Sequence, residues 1–370
     1  MKILLAPDKF KGSLSAEEVC RALEKGLKKV RPEVEIIARP LADGGDGSLD
    51  ILRHYFELQS HTCQVQDPLG RTITADYTMA KGVAYIEMSK ASGLVLLKPE
   101  ERTAMKTSSF GTGQLIWDAL KKGAKEIYLF IGGSATNDGG TGIAKALGYR
   151  FLDKAGEELD ALGENLIHID QIEDNQVLRG LKEVLVKVIC DVNNPFSGPQ
   201  GAAYVYAAQK GASLEEIDFL DSGLKHLAEK LSERGYVDIN SIPGAGAAGG
   251  VGGGAIAFLD AKLISGIEMF LEISDLEKWV KESDLIITGE GKMDAQTEHG
   301  KVVSGVSELA QLYGKAILGV CGVADEGVAE KLKLNQVYTI ISRSQSIEEA
   351  MNKAAEKLEE IGELILSRSE

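Results

Sequence analysis

An α/β fold of two dissimilar domains, one built from both ends of the chain and the other inserted into it, is what the sequence predicts. Three observations carry that reading. Short apolar runs alternate with amphipathic helical stretches at both ends of the 370 residues; the alternation gives way to a period of two after residue 60; and the 42 glycines gather in loops that follow apolar runs. The first and third are the marks of a parallel sheet whose loops meet ligands at the carboxyl ends of its strands.

Taken in order, Lys2 to Ala6 is an apolar strand closed by Pro7. The loop PDKFKGS then leads to Ser15-Ala-Glu-Glu18, a capping box that opens a helix with Val19, Leu23 and Leu27 on its apolar face. Val34 to Ala38 is the next strand, and LADGGDG precedes a helix from Leu49 to Tyr55. Thr62 to Gln66 and Thr72 to Met79 alternate apolar with polar around the turn DPLG, Val83 to Met88 follows, and all three read as short antiparallel strands. The βα rhythm resumes with helix Gln114 to Lys121, strand Ile127 to Ile131, helix Thr141 to Leu147 and strand Leu185 to Cys190. A polar helix from Leu214 to Arg234 precedes the glycine cluster at 244–254. Beyond it come strand Leu285 to Thr288, helix Val302 to Tyr313, strands Ala316 to Val320 and Val337 to Ile341, and a closing helix. Ile347, Met351, Ala354, Leu358, Ile361 and Ile365 form a core-packing stripe along that helix. The expected boundaries are 1–60 plus 283–370 for a parallel, Rossmann-like sheet domain and 61–282 for the inserted α/β domain.

Charge and composition remove several classes. Lys and Arg number 41 against 56 Asp and Glu, a net charge of −15 with no basic run, which disfavours a nucleic-acid binder. Hydrophobic residues at 44% and charged ones at 26% allow a sizeable core. No apolar run approaches the roughly 20 residues of a bilayer span. Asp8 and Lys9 come too early for a secretory signal, so a cytoplasmic protein without a membrane partner is expected. Cys20, Cys63, Cys190 and Cys321 are scattered and read as buried reduced thiols, and the five histidines form no zinc pattern. The P-loop, nucleophile-elbow and protein-kinase motifs are all missing from the sequence.

The chemistry should reside in the loops. PDKFKGS supplies Asp8, Lys11 and Ser13, an acceptor, a cation and a hydroxyl, just past a strand; LADGGDG sets Asp43 and Asp46 three apart among glycines, suited to one metal ion or hydroxyl group. Both also read as ordinary turns. SSFGTG, with Ser109, runs into a helix start and suits an anion. A more specific signal is IGGSATNDGG, where Gly132, Gly133, Ser134, Thr136 and Asn137 offer amides and hydroxyls to phosphate at a strand-to-helix junction. CDVNNPFSG puts Asp191 directly after an apolar strand, where a half-buried carboxylate suits a general base, although the same residues make a good turn. PGAGAAGGVGGG contains G-x-G-x-x-G at Gly244, Gly246 and Gly249 after a poor strand, so it suits nucleotide phosphates or a close domain contact better than a dinucleotide. DLIITGEGKMD is a strand ending in glycines with Glu290, Lys292 and Asp294 beyond it, which are common magnesium and base positions, and Lys301 is a nearby cation.

Seven of these segments, PDKFKGSLSAEE, PLADGGDG, SSFGTGQLI, IGGSATNDGGTG, CDVNNPFSG, PGAGAAGGVGGG and TGEGKMDAQTEHGK, in this order over almost the whole chain, resemble the type-1 glycerate kinases. The resemblance implies ATP-dependent phosphorylation of D-glycerate, a magnesium requirement, and two dissimilar α/β domains, one assembled from both chain ends. Asp46 stands where that family more often has Glu, and Lys9 where it more often has Ser.

Phosphoryl transfer to an alcohol needs donors for the γ-phosphate, a bridging metal and an oriented carboxylate on the hydroxyl. On that division Gly132, Gly133, Ser134, Thr136 and Asn137, with Gly246, Gly249 and Gly250, hold ATP, and Glu290 and Asp294 place Mg2+. Asp191 is the base with Lys11 and Asp8 beside it, and Ser13, Asp43, Asp46 and Ser109 hold glycerate in a cleft shared by the domains. Family habit favours 2-phosphoglycerate as product, with 3-phosphoglycerate open because one rotation of the acid exchanges the hydroxyls. The same loops would also serve a nucleotide-linked sugar-acid phosphatase or dehydrogenase, or a non-catalytic ligand sensor.

Overall fold

The computed structural model describes residues 1–44, 48–294, 297 and 301–367. They divide into two compact units, Met1–Phe56 with Ser265–Glu370, and Glu57–Ile264. Both are α/β, and parallel strand pairs dominate each main sheet, in agreement with the expected fold class.

In the first unit β1 (Lys2–Pro7) is followed by α1 (Ala16–Val30), β2 (Glu35–Ala38) and α2 (Ser48–Tyr55). The capping box expected at the start of α1 is present, with Ser15 accepting from the Glu18 amide and the Glu18 carboxylate accepting from the Ser15 amide.

The second unit opens with an antiparallel pair, β3 (Gln59–Gln66) and β4 (Thr72–Ala80), and continues through β5 (Val83–Glu87), α3 (Ser89–Ser92), α4 (Phe110–Lys121), β6 (Glu126–Phe130) and α5 (Thr141–Ala146). A small antiparallel pair, β7 (Arg150–Leu152) and β8 (Gln171–Glu173), precedes β9 (Leu185–Ile189), α6 (Ala202–Tyr206), α7 (Leu214–Glu233), α8 (Ala247–Leu259) and β10 (Lys262–Ile264). The main sheet runs β10-β9-β6-β5-β4-β3, parallel from β10 to β5 and antiparallel across β4 and β3. One apolar core joins Val65, Leu115, Leu129, Val188 and Val251; another collects Phe151, Leu166, Phe196 and the α7 face of Leu220, Leu224 and Leu227.

The chain then returns to the first unit with α9 (Gly266–Ile273), α10 (Leu276–Glu282), β11 (Leu285–Met293), α11 (Val302–Leu312), β12 (Ala316–Ala324), α12 (Val328–Lys331), β13 (Gln336–Thr339), α13 (Ile347–Asn352) and α14 (Ala354–Ser367). All five strands of its sheet are parallel in the order β13-β12-β11-β1-β2. That is the 2-1-3-4-5 order of the flavodoxin-like doubly wound fold, whose topological switch lies between β1 and β11. Helices α1 and α14 pack on one side, with Val19, Leu23, Leu358 and Ile361 completely buried, and α10 and α11 pack on the other. Fully burying each such side chain is worth about 1.5–3 kcal/mol.

Residues 265–282, placed in the insert from the sequence, lie in the first unit. Gly266 is the reason they can: a Cβ there would come 2.0 Å from the Asp43 carbonyl oxygen, so α9 starts directly on the backbone of the second loop. Two expected boundaries also move. β11 continues through its glycines to Met293, so Glu290 stands on the strand and not beyond it. α4 begins at Phe110, placing Gly111 and Gly113 inside the helix, where side chains would strike the Gln66 and Ile143 carbonyls.

Candidate active site

At the switch point of the first unit, Pro7 pairs with Gly289 across β1 and β11, and the Asp8 amide donates to the Gly289 carbonyl at 2.8 Å. Asp8, just past the end of β1, therefore stands beside Glu290 on the adjacent parallel strand. After Asp8 the chain makes a tight turn closed by hydrogen bonds between Phe10 and Leu14, with Gly12 at φ +77°. Phe10 is buried in the core and anchors this turn, leaving Lys9 half-buried and Lys11 exposed. The Leu41 amide donates to the Pro7 carbonyl at 2.9 Å, bringing in the loop that carries Asp43.

These elements enclose a cavity of about 470 Å³. Its lining divides by element: charged Asp8, Lys11, Asp43, Glu290, Lys292 and Lys301 come from the chain following β1 and β2 and from β11 and the stretch beyond it, and apolar Val323, Ile341, Ile347, Ala350 and Met351 come from β12, the turn after β13, and α13. Ser13 also lines it, but its hydroxyl donates to the Met351 carbonyl at 2.7 Å.

Burial holds the Asp8 carboxyl far above the ordinary carboxylate range, at about 7, with Asp43 and Glu290 pushing the same way against the Lys9 amide and ammonium. Glu290 is raised for the same first reason, burial, opposed by Thr297 and Lys301. Its Oε1 is buried without a hydrogen-bond partner among the described residues, and Lys301 Nζ stands 3.8 Å from Oε2. Asp294 is held by Lys292 at 2.9 Å. Among the described residues no group of three His, Cys, Asp or Glu side chains could by itself hold a metal ion. Magnesium on a nucleotide needs no such cage, since one or two carboxylates with phosphates and waters suffice, and the orphaned Glu290 oxygen fits that requirement. Asp46, expected beside Asp43, lies outside the described residues.

The second unit carries a different polar cluster, in the loop from Ile131 to Gly140 between β6 and α5. Gly132 and Gly133 are exposed, while Ser134 to Gly140 are buried. Asp138, completely buried, accepts from the Ser109 amide and hydroxyl, both at 2.7 Å, and from the amides of Gly140 and Gly142 at 3.1 and 3.2 Å. Ser109 Oγ in turn accepts from the Ile143 amide. The hydroxyl expected to touch substrate is thus occupied in joining α4 to α5.

Lys210, 2% exposed, donates to Ser134 Oγ at 2.9 Å and to the Thr136 carbonyl at 2.7 Å. Burial lowers its ammonium to about 7, with Asp138 opposing. Thr136 Oγ1 and both polar atoms of the Asn137 amide are buried without partners among the described residues. Lys210 was missed from the sequence because it ends an ordinary polar stretch, AAQK, with no motif around it.

The glycines of the 244–254 cluster serve packing. A Cβ on Gly249 would lie 2.0 Å from the Thr136 carbonyl, one on Gly246 2.1 Å from the Pro195 carbonyl, and one on Gly250 2.8 Å from the Phe196 ring. The Gly139 amide donates to the Gly249 carbonyl, and Ala248, Gly249 and Gly250 are left-handed, so regular α8 helix starts only at Val251. A buried turn seated on the 134–140 loop leaves no open dinucleotide fingerprint. Asp191 lies two residues past β9 and is exposed, not half-buried as expected; Cys190 takes the half-buried place at the strand end.

The structure thus groups Asp8, Lys11, Ser13, Asp43 and Glu290, with Asp294 nearby, in the first unit. In the second, Ser109 is bonded to Asp138, Lys210 joins Ser134 to the Thr136 carbonyl, and Asn137 is buried in the same loop, which is backed by Gly246, Gly249 and Gly250 and flanked by Gly132 and Gly133. Asp191 stands at the exposed end of β9 in the second unit. No described helix is long and apolar enough to cross a membrane.

A doubly wound α/β protein with carboxylates and lysines at its switch point belongs to the large class whose ligands enter at strand ends. Comparison narrows the class: the model of the glycerate kinase family matches residues 3–369, and the chain belongs to that family of enzymes. A glycerate kinase of Halalkalibacterium halodurans is 41% identical over 362 residues, covering 97% of this chain and 95% of that one. The glycerate 2-kinase of Escherichia coli is 40% identical at the same coverage. A crystal structure assigned to glycerate kinase 2 of Salmonella typhimurium LT2 superposes with a TM-score of 0.85 at 37% identity, over 99% of this chain and 97% of that one.

Proposed function

We propose that the protein transfers the γ-phosphoryl group of ATP to the 2-hydroxyl of D-glycerate, giving 2-phosphoglycerate and ADP, with Mg2+ as the assisting ion. Family membership supports the acceptor, and the glycerate 2-kinase among its relatives supports the position. One observation carries the mechanism: Asp8, buried beside Glu290 at the switch point and held near pH 7, has the environment of a general base.

A base tuned close to the working pH is half deprotonated there and still avid for a proton. In this reading the Asp8 carboxylate takes the hydroxyl proton as the glycerate oxygen attacks the γ-phosphorus. The bond from that phosphorus to the β,γ-bridging oxygen breaks, ADP leaves, and the proton passes from Asp8 to solvent. Asp8 thus replaces Asp191 as base, because an exposed carboxylate has water competing for every contact. Lys11 and Lys301, lining the same cavity, offset charge on the moving phosphoryl oxygens. Glu290, with Asp294 near it, would hold Mg2+, which supplies charge neutralisation to the phosphates. Asp43 raises the Asp8 carboxyl by repulsion. In the second unit, the exposed amides of Gly132 and Gly133, at the entrance of the loop that Lys210 ties down, are a further place for an anionic group.

The test is ADP release from ATP and D-glycerate followed by phosphorus NMR of the product. The expected product is 2-phosphoglycerate; 3-phosphoglycerate would overturn the regiochemistry alone. Asp191→Asn should keep wild-type turnover, and loss of turnover there with Asp8→Asn active would return the base role to Asp191.

A further inference from the structure

The cavity at the switch point is far larger than a three-carbon acid fills, since pockets for drug-sized ligands span about 300–1,000 Å³ and this one measures about 470 Å³. It is also divided by chemistry. Its charged lining holds Asp8, Glu290 and lysines, whereas its apolar wall is made by Val323 at the end of β12, Ile341 after β13, and Ile347, Ala350 and Met351 of α13. Val323, Ile347 and Met351 are 38%, 67% and 45% exposed. Apolar side chains that converge on a cavity while open to water mark a surface that a ligand covers. Glycerate, polar on every carbon, has no face to offer such a wall.

We propose that this wall is the seat of the adenine ring of the phosphoryl donor, with the triphosphate running toward Lys11, Lys301 and Glu290. The proposal rests on ATP being the donor. A nucleotide is apolar and flat at one end and polyanionic at the other, which is the gradient the cavity presents. The direction agrees with the fold, because the charged lining coincides with the switch between β1 and β11 and the wall extends along β12 and β13. The bond from Ser13 Oγ to the Met351 carbonyl joins the two parts: the loop carrying Asp8 and Lys11 is fastened to the helix carrying the wall. Ser13 is on this account a positioning residue, its proton committed to the scaffold and not to glycerate.

The experiment uses Ile347→Glu and Val323→Glu, both at exposed positions and so compatible with folding, with Leu312→Glu, 70% exposed and outside the cavity lining, as the control. Steady-state KM values for ATP and D-glycerate are measured together with direct titration of a methylanthraniloyl-ATP probe without glycerate. Expected are a tenfold or greater rise in KM for ATP and in probe Kd for each wall variant, glycerate KM within twofold of wild type, unchanged Tm, and wild-type constants for Leu312→Glu. A rise in glycerate KM with ATP unmoved would seat the acid on the wall and overturn the proposal, as would variants in which neither constant moves. A wild-type protein that uses another phosphoryl donor and not ATP would overturn the donor and the adenine seat together, whereas wild-type turnover of ATP with unmoved variants would overturn the seat alone.

Discussion

Two aspartates, Asp8 and Asp138, are both buried at the ends of strand-derived loops, yet their surroundings differ in one countable respect. Asp138 accepts four hydrogen bonds from Ser109, Gly140 and Gly142, and its near neighbour in charge is a lysine; Asp8 has the Lys9 amide at 2.6 Å and faces two other carboxylates across a cavity. Burial raises both carboxyls. On the proposed role of Asp8, what separates a scaffold carboxylate from a reactive one is the number of donors already committed to it. A saturated acceptor has nothing left for a substrate, while an under-satisfied one retains that capacity.

The sharpest way to break this contrast is Asp8→Asn, which should lower kcat by about 10²–10⁴-fold with both KM values within a few-fold of wild type. Retained turnover would place Asp8 among the scaffold residues. The Asp138→Ala change should act on stability instead. It strands donors on Ser109, Gly140 and Gly142, at about 1–3 kcal/mol for each one left unsatisfied, so urea unfolding should show a loss of several kcal/mol. A small loss would mean that water replaces the carboxylate and that the network is not closed.

A pH series sharpens the comparison further. An unfolded Asp titrates near ~3.9 and folded Asp8 at about 7, so between those values the native state holds a proton that the unfolded chain has released. Stability from Asp8 should fall as pH rises through that window. Lys210 has the opposite sign: unfolded Lys titrates near ~10.4 and the buried one at about 7, so stability should climb from pH 7 toward 10 as the unfolded state binds the extra proton. Urea midpoints should pass through a minimum near neutrality, with the falling limb flattened in Asp8→Asn and the rising limb in Lys210→Met. A profile that only rises would contradict the Asp8 assignment, and one that only falls the Lys210 assignment.

The smallest effect expected comes from Gly132→Ala, where nothing lies within 4 Å of a new Cβ and the backbone is not left-handed; its Tm should match wild type. Gly249→Ala in the companion cluster should cost at least a few kcal/mol, because φ is +72° and the Thr136 carbonyl is in the way. Equal melting temperatures for the two variants would undo the division between an open loop entrance and a packed turn.

Much of this was legible in the sequence where local chemistry decides. The capping box at Ser15 and Glu18 and the β3–β4 pair around DPLG appear as read. Elements were misjudged where a residue's reason lies far along the chain. Gly111 and Gly113 read as loop residues, but Gln66 and Ile143 require them small inside α4. The stripe from Ile347 to Ile365 has a single period and two destinations: Ile347 and Met351 face the cavity, while Leu358, Ile361 and Ile365 enter the core, with a break between α13 and α14. Site composition followed the same rule. Asp8, Lys11 and Asp43 could be picked because strand-end loops announce themselves, whereas Lys210 depends on tertiary burial and Asp191 on a strand that stops two residues earlier.

The hydrogen bond from Thr288 Oγ1 to the Ala6 carbonyl spans 282 residues, and it stands for the whole β1–β11 seam. On a ribosome adding about 5–20 residues per second, the opening strand meets β2 early but waits on the order of tens of seconds for β11. Residues 57–264 emerge complete in that interval, with their sheet and both apolar clusters in hand. The inserted unit can therefore close before the one that begins the chain, whose Ile3 to Ala6 lack their β11 partners until that strand is translated.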